Sequence, residues 1–240
     1  MPSRLPSVLC SRPAAVNSVW LEPMAERVIH DHWSREAKRK GYRSRAAFKL
    51  MQIDDRRGVL KKGDRVLDLG CAPGSWLQVI AERVGPRGIA WGIDLQEVAK
   101  GLPENATALL GNAEDPAGAG VPQGMLFDAI LSDMMPSTTG SRDTDHFRSV
   151  AVCELAMDLC PRWLRPGGTL VMKILEGASM PQLLADTRHR FEKVKPFKPE
   201  ASRKESTEIF VIAHGYKGPP EGGPDEVAAA PGPPPVPEGW

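Results

Sequence analysis

The stretch "RVLDLGCAPGSW", Arg65 to Trp76, joins a short buried strand to a turn rich in glycine and proline. The strand residues after Arg65 are apolar apart from Asp68, and Gly70 and Gly74 bracket the turn that follows. Such a turn lets a ligand approach the backbone closely, because glycine has no side chain and the next helix begins with free N–H groups. The same turn is also compatible with a plain strand-to-helix connection.

Strand-like and helix-like segments alternate around this turn, which predicts an α/β doubly wound sandwich. The strands are apolar on both faces, as in a parallel sheet covered by helices. The segments "FEKVKPF" and "STEIFVIA" have no long helix between them and predict a closing antiparallel pair. Strands are predicted at 65–69, 89–94, 107–111, 127–132 and 168–174, helices at 44–56, 75–84, 145–164 and 180–189, and a loop at 134–144.

The domain occupies residues 24–217, with an extension at each end. Residues 1–23 contain arginines but no acid before Glu22, and three interpretations stay open: disorder, a start at Met24, or organellar targeting. Residues 218–240 are rich in proline, which predicts a disordered tail. A ligand for a proline-recognising partner is the less favoured interpretation of this tail.

The composition is that of a soluble globular protein, with 41% hydrophobic and 25% charged residues among 240. The four cysteines show no C-x-x-C spacing, so neither a zinc site nor any other metal site is predicted. A reduced protein in the cytoplasm is the simplest interpretation, with the mitochondrion as the alternative. No apolar run approaches the length that crosses a bilayer.

Charged residues stand near the ends of the predicted parallel strands, where α/β proteins bind ligands. Asp68, Asp94, Asp133 and Lys173 should therefore face a cavity, each other or a ligand, since a buried unpaired charge is costly. Asp94 follows Gly74 by twenty residues, and a carboxylate at this distance suits the two hydroxyls of a ribose. The pattern indicates an adenosine-bearing cofactor.

The turn lacks the second and third glycines of the G-x-G-x-x-G fingerprint, so a pyrophosphate is not expected. S-adenosylmethionine (SAM), which has a ribose but no phosphates, suits "DLGCAPGSW" better than a nicotinamide cofactor. A nicotinamide dehydrogenase stays the alternative from another class.

Several segments together resemble the FtsJ-type ribosomal RNA 2′-O-methyltransferases, from about His32 to His214. The resemblance implies a Rossmann-like SAM-binding sandwich with a mostly parallel seven-stranded sheet and one antiparallel strand. The segments that carry it are "GYRSRAAFKL", "VLDLGCAPGSW", "GIDL", "ILSDMMPSTTG", "LRPGGTLVMKI" and "KPEASRKESTEIFVIA".

The resemblance also implies site residues. The family's catalytic Lys-Asp-Lys-Glu tetrad falls on Lys49, Asp133, Lys173 and Glu208. Where relatives commonly have Gly-Asp to meet the adenine, this chain has Gly-Asn at 111–112; an amide oxygen still accepts a hydrogen bond, so we expect altered adenine contact. The candidate cofactor-binding residues, from the turn and from the family, are Asp68, Gly70, Gly74, Trp76, Asp94, Asn112 and Asp133.

Our hypothesis for the chemistry is that Lys173 removes the proton of a ribose hydroxyl after partial burial and the charge of Lys49 lower its pKa. Asp133 and Glu208 would orient the lysine and the hydroxyl. Without the resemblance, Lys49 could equally be a solvated or RNA-facing lysine on its helix.

Two basic clusters predict an RNA partner. Residues 35–49 contain seven Lys and Arg against Glu36 alone, and a second cluster spans Lys193 to Lys204. Tyr42 and Phe48 are available for base stacking, although Phe48 could equally belong to the core. The resemblance implies a monomer that methylates a uridine in the peptidyl-transferase region (A-loop) of large-subunit rRNA on the assembled subunit. A tRNA anticodon-loop methyltransferase and a non-catalytic ribosome assembly factor are the alternatives.

Overall fold

The computed structural model describes residues 32–203 and 205–219. The predictions for residues 1–23, for Lys204 and for the proline-rich tail from residue 220 onward lie outside the described residues.

Seven strands and five helices follow one another along the described chain. The helices are α1 (His32–Lys40), α2 (Ala46–Arg57), α3 (Ser75–Val84), α4 (Arg142–Trp163) and α5 (Met180–Arg190). The strands are β1 (Arg65–Leu69), β2 (Ile89–Asp94), β3 (Ala106–Leu110), β4 (Phe127–Ser132), β5 (Leu164–Leu175), β6 (Phe191–Phe197) and β7 (Glu208–Tyr216).

The strands form one sheet in the order β3-β2-β1-β4-β5-β7-β6. The first five strands in this order are parallel, and β7 pairs antiparallel with both β5 and β6. The strand order turns back at β1, where the chain crosses from one half of the sheet to the other. This arrangement confirms the predicted α/β sandwich and its single antiparallel strand.

Apolar side chains alternate between the two faces of the sheet and build a core on each face. Leu67 and Leu69 pack on the side that α4 and α5 cover, whereas Val66 packs on the side of α2 and α3. On α2, Leu50 and Ile53 are fully buried, and each contributes about 2 kcal/mol of apolar burial.

Helix α1 was not predicted, because its sequence HWSREAKRK has no apolar periodicity and only Ala37 is buried. Aromatic packing stabilises this helix instead: the rings of Trp33 and Phe48 lie 5.1 Å apart, and the ring of Tyr42 also contacts Phe48. Phe48 is 5% exposed, so it belongs to the core and the stacking alternative is wrong for this residue.

Other boundaries differ by a few residues. Strand β5 begins at Leu164, four residues before the predicted start, because Leu164 already pairs with Phe127 of β4. Helix α4 begins at Arg142 and shortens the predicted loop. None of the described helices is long and apolar enough to cross a lipid bilayer.

Candidate active site

The carboxyl edge of the parallel strands brings the predicted charged residues together. Side chains alternate between faces along a strand, and Asp68, Asp94 and Lys173 fall in the register that faces α2 and α3. Asp133 continues the same alternation one residue beyond β4. Because β7 runs the other way, its first residue, Glu208, lies at this edge as well, opposite Leu175.

Lys173 and Asp133 form one ion pair of the site. The Lys173 ammonium Nζ lies 2.8 Å from Asp133 Oδ1 and donates a hydrogen bond to the Asp133 carbonyl oxygen at 2.6 Å. The two side chains are 9% and 18% exposed, so the pair is largely shielded from water. The hydrogen bond fixes the lysine to the backbone, while the carboxylate balances its charge.

Lys49 and Glu208 form a second ion pair. Helix α2 places Lys49 Nζ 2.6 Å from Glu208 Oε1 and 2.8 Å from Oε2, and the ring of Phe210 lies 6.0 Å below the ammonium. Burial alone would raise the pKa of Glu208, but the charge and hydrogen bond of Lys49, with the charge of Lys173, lower it. The lysine predicted from family resemblance is therefore a half-buried partner of Glu208.

The two ion pairs are adjacent. Lys173 pairs in register with Phe210, which lies two residues after Glu208 on the same face of β7. The influence of Lys173 on the Glu208 carboxylate reports the same proximity. The structure thus brings all four tetrad residues together, although they are separated by up to 159 positions in the chain.

The glycine turn between β1 and α3 approaches its neighbours too closely for side chains. A Cβ on Gly70 would lie 2.5 Å from Cγ of Met134, and one on Gly74 would lie 2.9 Å from Cγ1 of Val98. Both glycines have positive φ angles, 77° and 98°, which other residues rarely adopt. Arg43 donates a hydrogen bond to the Pro73 carbonyl oxygen of the turn at 2.9 Å. This member of the basic cluster therefore contacts the protein itself.

Asp94 also shapes the turn. Its Oδ2 accepts a hydrogen bond from the Ala72 N–H and its Oδ1 accepts one from the Gln96 N–H, both at 2.8 Å. These bonds hold the carboxylate in place and leave lone pairs on each oxygen for a further donor.

A cavity of about 620 Å³ opens beside the turn, a size typical of sites for small organic ligands. Its lining includes Gly70, Ala72, Asp94, Asn112, Glu114 and Asp133. The Trp76 ring lies elsewhere: it is 3% exposed, packs on Phe210, and donates from Nε1 to the Ala46 carbonyl at 2.8 Å. Trp76 can therefore reach a ligand only through its backbone N–H in the first turn of α3.

Asp68 is the unusual group of the site. The side chain is fully buried, and neither carboxyl oxygen has a hydrogen-bond partner among the described residues. Burial raises the pKa of Asp68 well above its usual range, and the Asp133 and Asp94 carboxylates raise it further. A buried acid with no partner is expensive, which suggests a cationic group as its missing partner.

Two residues at the start of α4, missed by the sequence analysis, order the loops around the cavity. Asp145 accepts hydrogen bonds from the backbone and hydroxyl of Thr139, and these bonds lower its pKa. His146, 3% exposed, accepts the Ser179 N–H at Nε2 and contacts the Leu175 carbonyl oxygen at 2.8 Å through Nδ1. The sequence signal that could have identified Asp145 and His146 is the polar segment "DTDH", which follows a loop rich in Ser, Thr and Gly.

The basic clusters have a mixture of partners. Arg39 and Lys40 form ion pairs with Glu36, whereas Arg35 and Lys38 form none with another described residue. Burial and then the neighbouring charge of Arg203 lower the pKa of Arg45. The second cluster therefore approaches the first one near the tetrad. Within the described residues, no group of three or more His, Cys, Asp and Glu side chains is arranged to hold a metal ion.

Comparisons with known proteins agree with the fold. The family model for FtsJ-like methyltransferases matches residues 42–216. A protein of Syntrophobacter fumaroxidans named ribosomal RNA large subunit methyltransferase E is 46% identical over 187 residues, covering 77% of this chain and 94% of that protein. A protein of the same name from Caulobacter vibrioides is 39% identical over 229 residues, covering 90% and 93%.

A solved structure from Plasmodium falciparum, described as a ribosomal RNA methyltransferase, has a similar fold. It superposes with a TM-score of 0.64 at 27% identity and covers 74% of this chain and 100% of that one.

Proposed function

Because the chain belongs to the FtsJ-like methyltransferase family, we propose that it transfers a methyl group from SAM to the 2′-hydroxyl of a uridine in large-subunit rRNA. The observation that carries this proposal is the meeting of two Lys–carboxylate pairs beside a cavity of cofactor size. Membership in a methyltransferase family also excludes the alternative of a nicotinamide dehydrogenase.

The residues around the cavity fit SAM. Asp94 has lone pairs for the ribose hydroxyls, and the first N–H groups of α3, at Ser75 and Trp76, suit a carboxylate. Asp68 does not line the cavity, but it lies fully buried close by and has no hydrogen-bond partner among the described residues, and its carboxylate suits the ammonium of the methionine part. When bound, SAM supplies an electrophilic methyl group on a positively charged sulfur.

In the proposed reaction, Lys173 takes the proton of the ribose hydroxyl at Nζ. Lys173 starts as the partner of Asp133 and must release its own proton to water before it can take the proton of the hydroxyl. Proton removal by a positioned group of this kind contributes about 10²- to 10⁴-fold to a rate.

The second ion pair positions the first in this proposal. Glu208 holds Lys49 next to the Lys173–Asp133 pair. Asp133 fixes the direction in which Lys173 points. The tetrad then serves proton removal and orientation together.

The basic clusters support RNA as the source of the hydroxyl. Arg45 lies close enough to Arg203 and Glu208 for their charges to affect it, and α1 adds Arg35 and Lys38; such cations attract phosphates without reading sequence. The names of the relatives support large-subunit rRNA as the substrate. We propose the A-loop uridine of the assembled subunit as the target, a monomeric enzyme, and the bacterial cytoplasm as its location.

Methyl transfer from labelled SAM to three substrates tests this function: free large-subunit rRNA, assembled large subunits, and tRNA. We expect incorporation at one uridine ribose, with assembled subunits as the best substrate. Preferential methylation of tRNA would contradict the substrate, and absence of transfer to any RNA would favour an assembly factor. A parallel titration with S-adenosylhomocysteine, the reaction product, separates loss of substrate from loss of cofactor binding.

A further inference from the structure

We propose that Glu114, oriented by Asn112, accepts a hydrogen bond from the amino group of the adenine, so that this pair selects adenine over hypoxanthine. The inference rests on the proposed use of SAM and assigns a residue that neither the turn nor the tetrad includes. It also replaces the expectation that the amide oxygen of Asn112 receives the adenine.

Local hydrogen bonds decide which way the Asn112 amide points. Its Oδ1 accepts the backbone N–H of Glu114 at 3.0 Å, so the oxygen is turned toward its own loop. Its Nδ2 lies 3.3 Å from Glu114 Oε2. Both residues line the cavity, and together they present a donor next to an acceptor.

The strand order places the base at this end of the cavity. Asp133 follows β4, Asp94 ends β2 and Asn112 follows β3, and the order β3-β2-β1-β4 separates the two ends by three strand spacings. At about 4.8 Å per spacing, this is about 14 Å, enough for an adenosyl group laid across the strand ends. With the reacting methyl at the Asp133 end and the ribose at Asp94, the base lies against Asn112 and Glu114.

The acceptor of Glu114 and the donor of Asn112 complement the hydrogen-bonding groups on the edge of adenine. Adenine presents an amino donor beside a ring-nitrogen acceptor, which complement the Glu114 carboxylate and the Asn112 amide N–H. Hypoxanthine presents a carbonyl oxygen and a ring N–H at these two positions. Against hypoxanthine, the carboxylate meets an acceptor and the amide N–H meets a donor, so both contacts become unfavourable.

Calorimetric titration of the full chain with S-adenosylhomocysteine and with S-inosylhomocysteine tests the inference. The variant Glu114→Gln keeps the size of the side chain but offers an amide, which can donate to the carbonyl oxygen of hypoxanthine. The matched control is Glu97→Gln, which removes an exposed carboxylate from the loop after β2 that does not line the cavity.

We expect wild-type protein to prefer the adenine compound by at least about tenfold, since a site that hydrogen-bonds a polar group rejects the analogue lacking it. Glu114→Gln should weaken binding of the adenine compound about three- to tenfold and reduce the ratio of its affinity to that of the hypoxanthine compound. Glu97→Gln should leave both the affinity and the ratio unchanged. An unchanged preference in Glu114→Gln overturns this inference alone. Failure of the wild type to bind the adenine compound overturns it together with SAM use.

Discussion

The carboxylates in the two halves of the carboxyl edge have different kinds of partner. In the tetrad half, formed by β4, β5 and β7, each carboxylate lies within 3 Å of a lysine nitrogen. In the cofactor half, formed by β1, β2 and β3, Asp68 has no hydrogen-bond partner among the described residues, and the two hydrogen bonds of Asp94 come from backbone N–H groups. The carboxylates of one half are paired with lysines, and those of the other half are not.

This difference separates two kinds of residue. A change in the tetrad half breaks an interaction that the folded protein already makes, so it should affect stability as well as reaction rate. A change at Asp68 removes a group that costs free energy in the ligand-free protein, so stability and ligand binding should move in opposite directions. The following predictions test this contrast.

The largest effect is expected for Lys173→Ala. Methyl transfer should fall by about 10³-fold or more, because proton removal and the alignment of the hydroxyl are both lost. Affinity for S-adenosylhomocysteine, measured by calorimetry, should change by less than about threefold. Lys173→Arg keeps the charge, but a guanidinium does not lose its proton near neutral pH and cannot act as the base, so this variant should be equally inactive. Turnover retained in either variant would contradict the assignment of the base.

Asp68→Asn should separate binding from stability. We expect affinity for S-adenosylhomocysteine to fall by more than about tenfold, because the partner of the ammonium loses its charge. The raised pKa of Asp68 means that the folded state keeps a proton that the unfolded state releases above pH 3.8, so wild-type stability declines as pH rises from there.

The ligand-free Asp68→Asn variant should therefore unfold at a higher temperature than wild type at pH 7, with the difference shrinking toward pH 4. Asp186→Asn, which changes a half-buried aspartate on α5, serves as the control. A lower unfolding temperature at pH 7 would show that Asp68 has a favourable partner in the ligand-free protein.

Lys49→Ala should destabilise the protein by about 3 kcal/mol at pH 7, since it leaves the buried Glu208 unpaired. The pKa of Glu208 is lowered in the folded state, so the pair stabilises above the unfolded value of 4.5 and loses its effect as pH falls below it. Urea unfolding at pH 7 and pH 4 measures the loss of stability and its dependence on pH. The double variant Lys49→Ala, Glu208→Gln should regain most of the loss; without recovery, the ion pair is not the cause.

The smallest effect concerns α1. Arg35→Ala and Lys38→Ala should each weaken RNA binding about threefold and reduce the slope of log affinity against log salt by about 1. Arg65→Ala, at the opposite edge of the sheet, is the matched control. A slope unchanged in both α1 variants would remove this cluster from the RNA interface.

Much of the fold could be predicted because the central strands are apolar on both faces. Strands β1, β2 and β4 match their predictions residue for residue. Helix α1 could not be predicted, since aromatic contacts with α2 hold it and its own polar pattern does not.

The gathering of charged residues at one edge could be predicted from the sequence, and the way they pair could not. The strand ends identified Asp68, Asp94, Asp133 and Lys173, but no local pattern connects Lys49 with a glutamate 159 positions away. Two further features depend on how the layers pack: Asp68 has no hydrogen-bond partner within residues 32–203 and 205–219, and the Trp76 ring lies in the core. The catalytic and binding roles of these residues stay predictions.

The reversed direction of β7 has a consequence for the synthesis of the protein. Glu208 is the first residue of a strand that must insert between β5 and β6, so the final member of the tetrad arrives only after nearly the whole sheet has been translated. A growing polypeptide on its own ribosome can thus display the glycine turn and Asp68, Asp94 and Asp133 before Glu208 has been added. The four charged residues meet only when the last strand has closed the sheet.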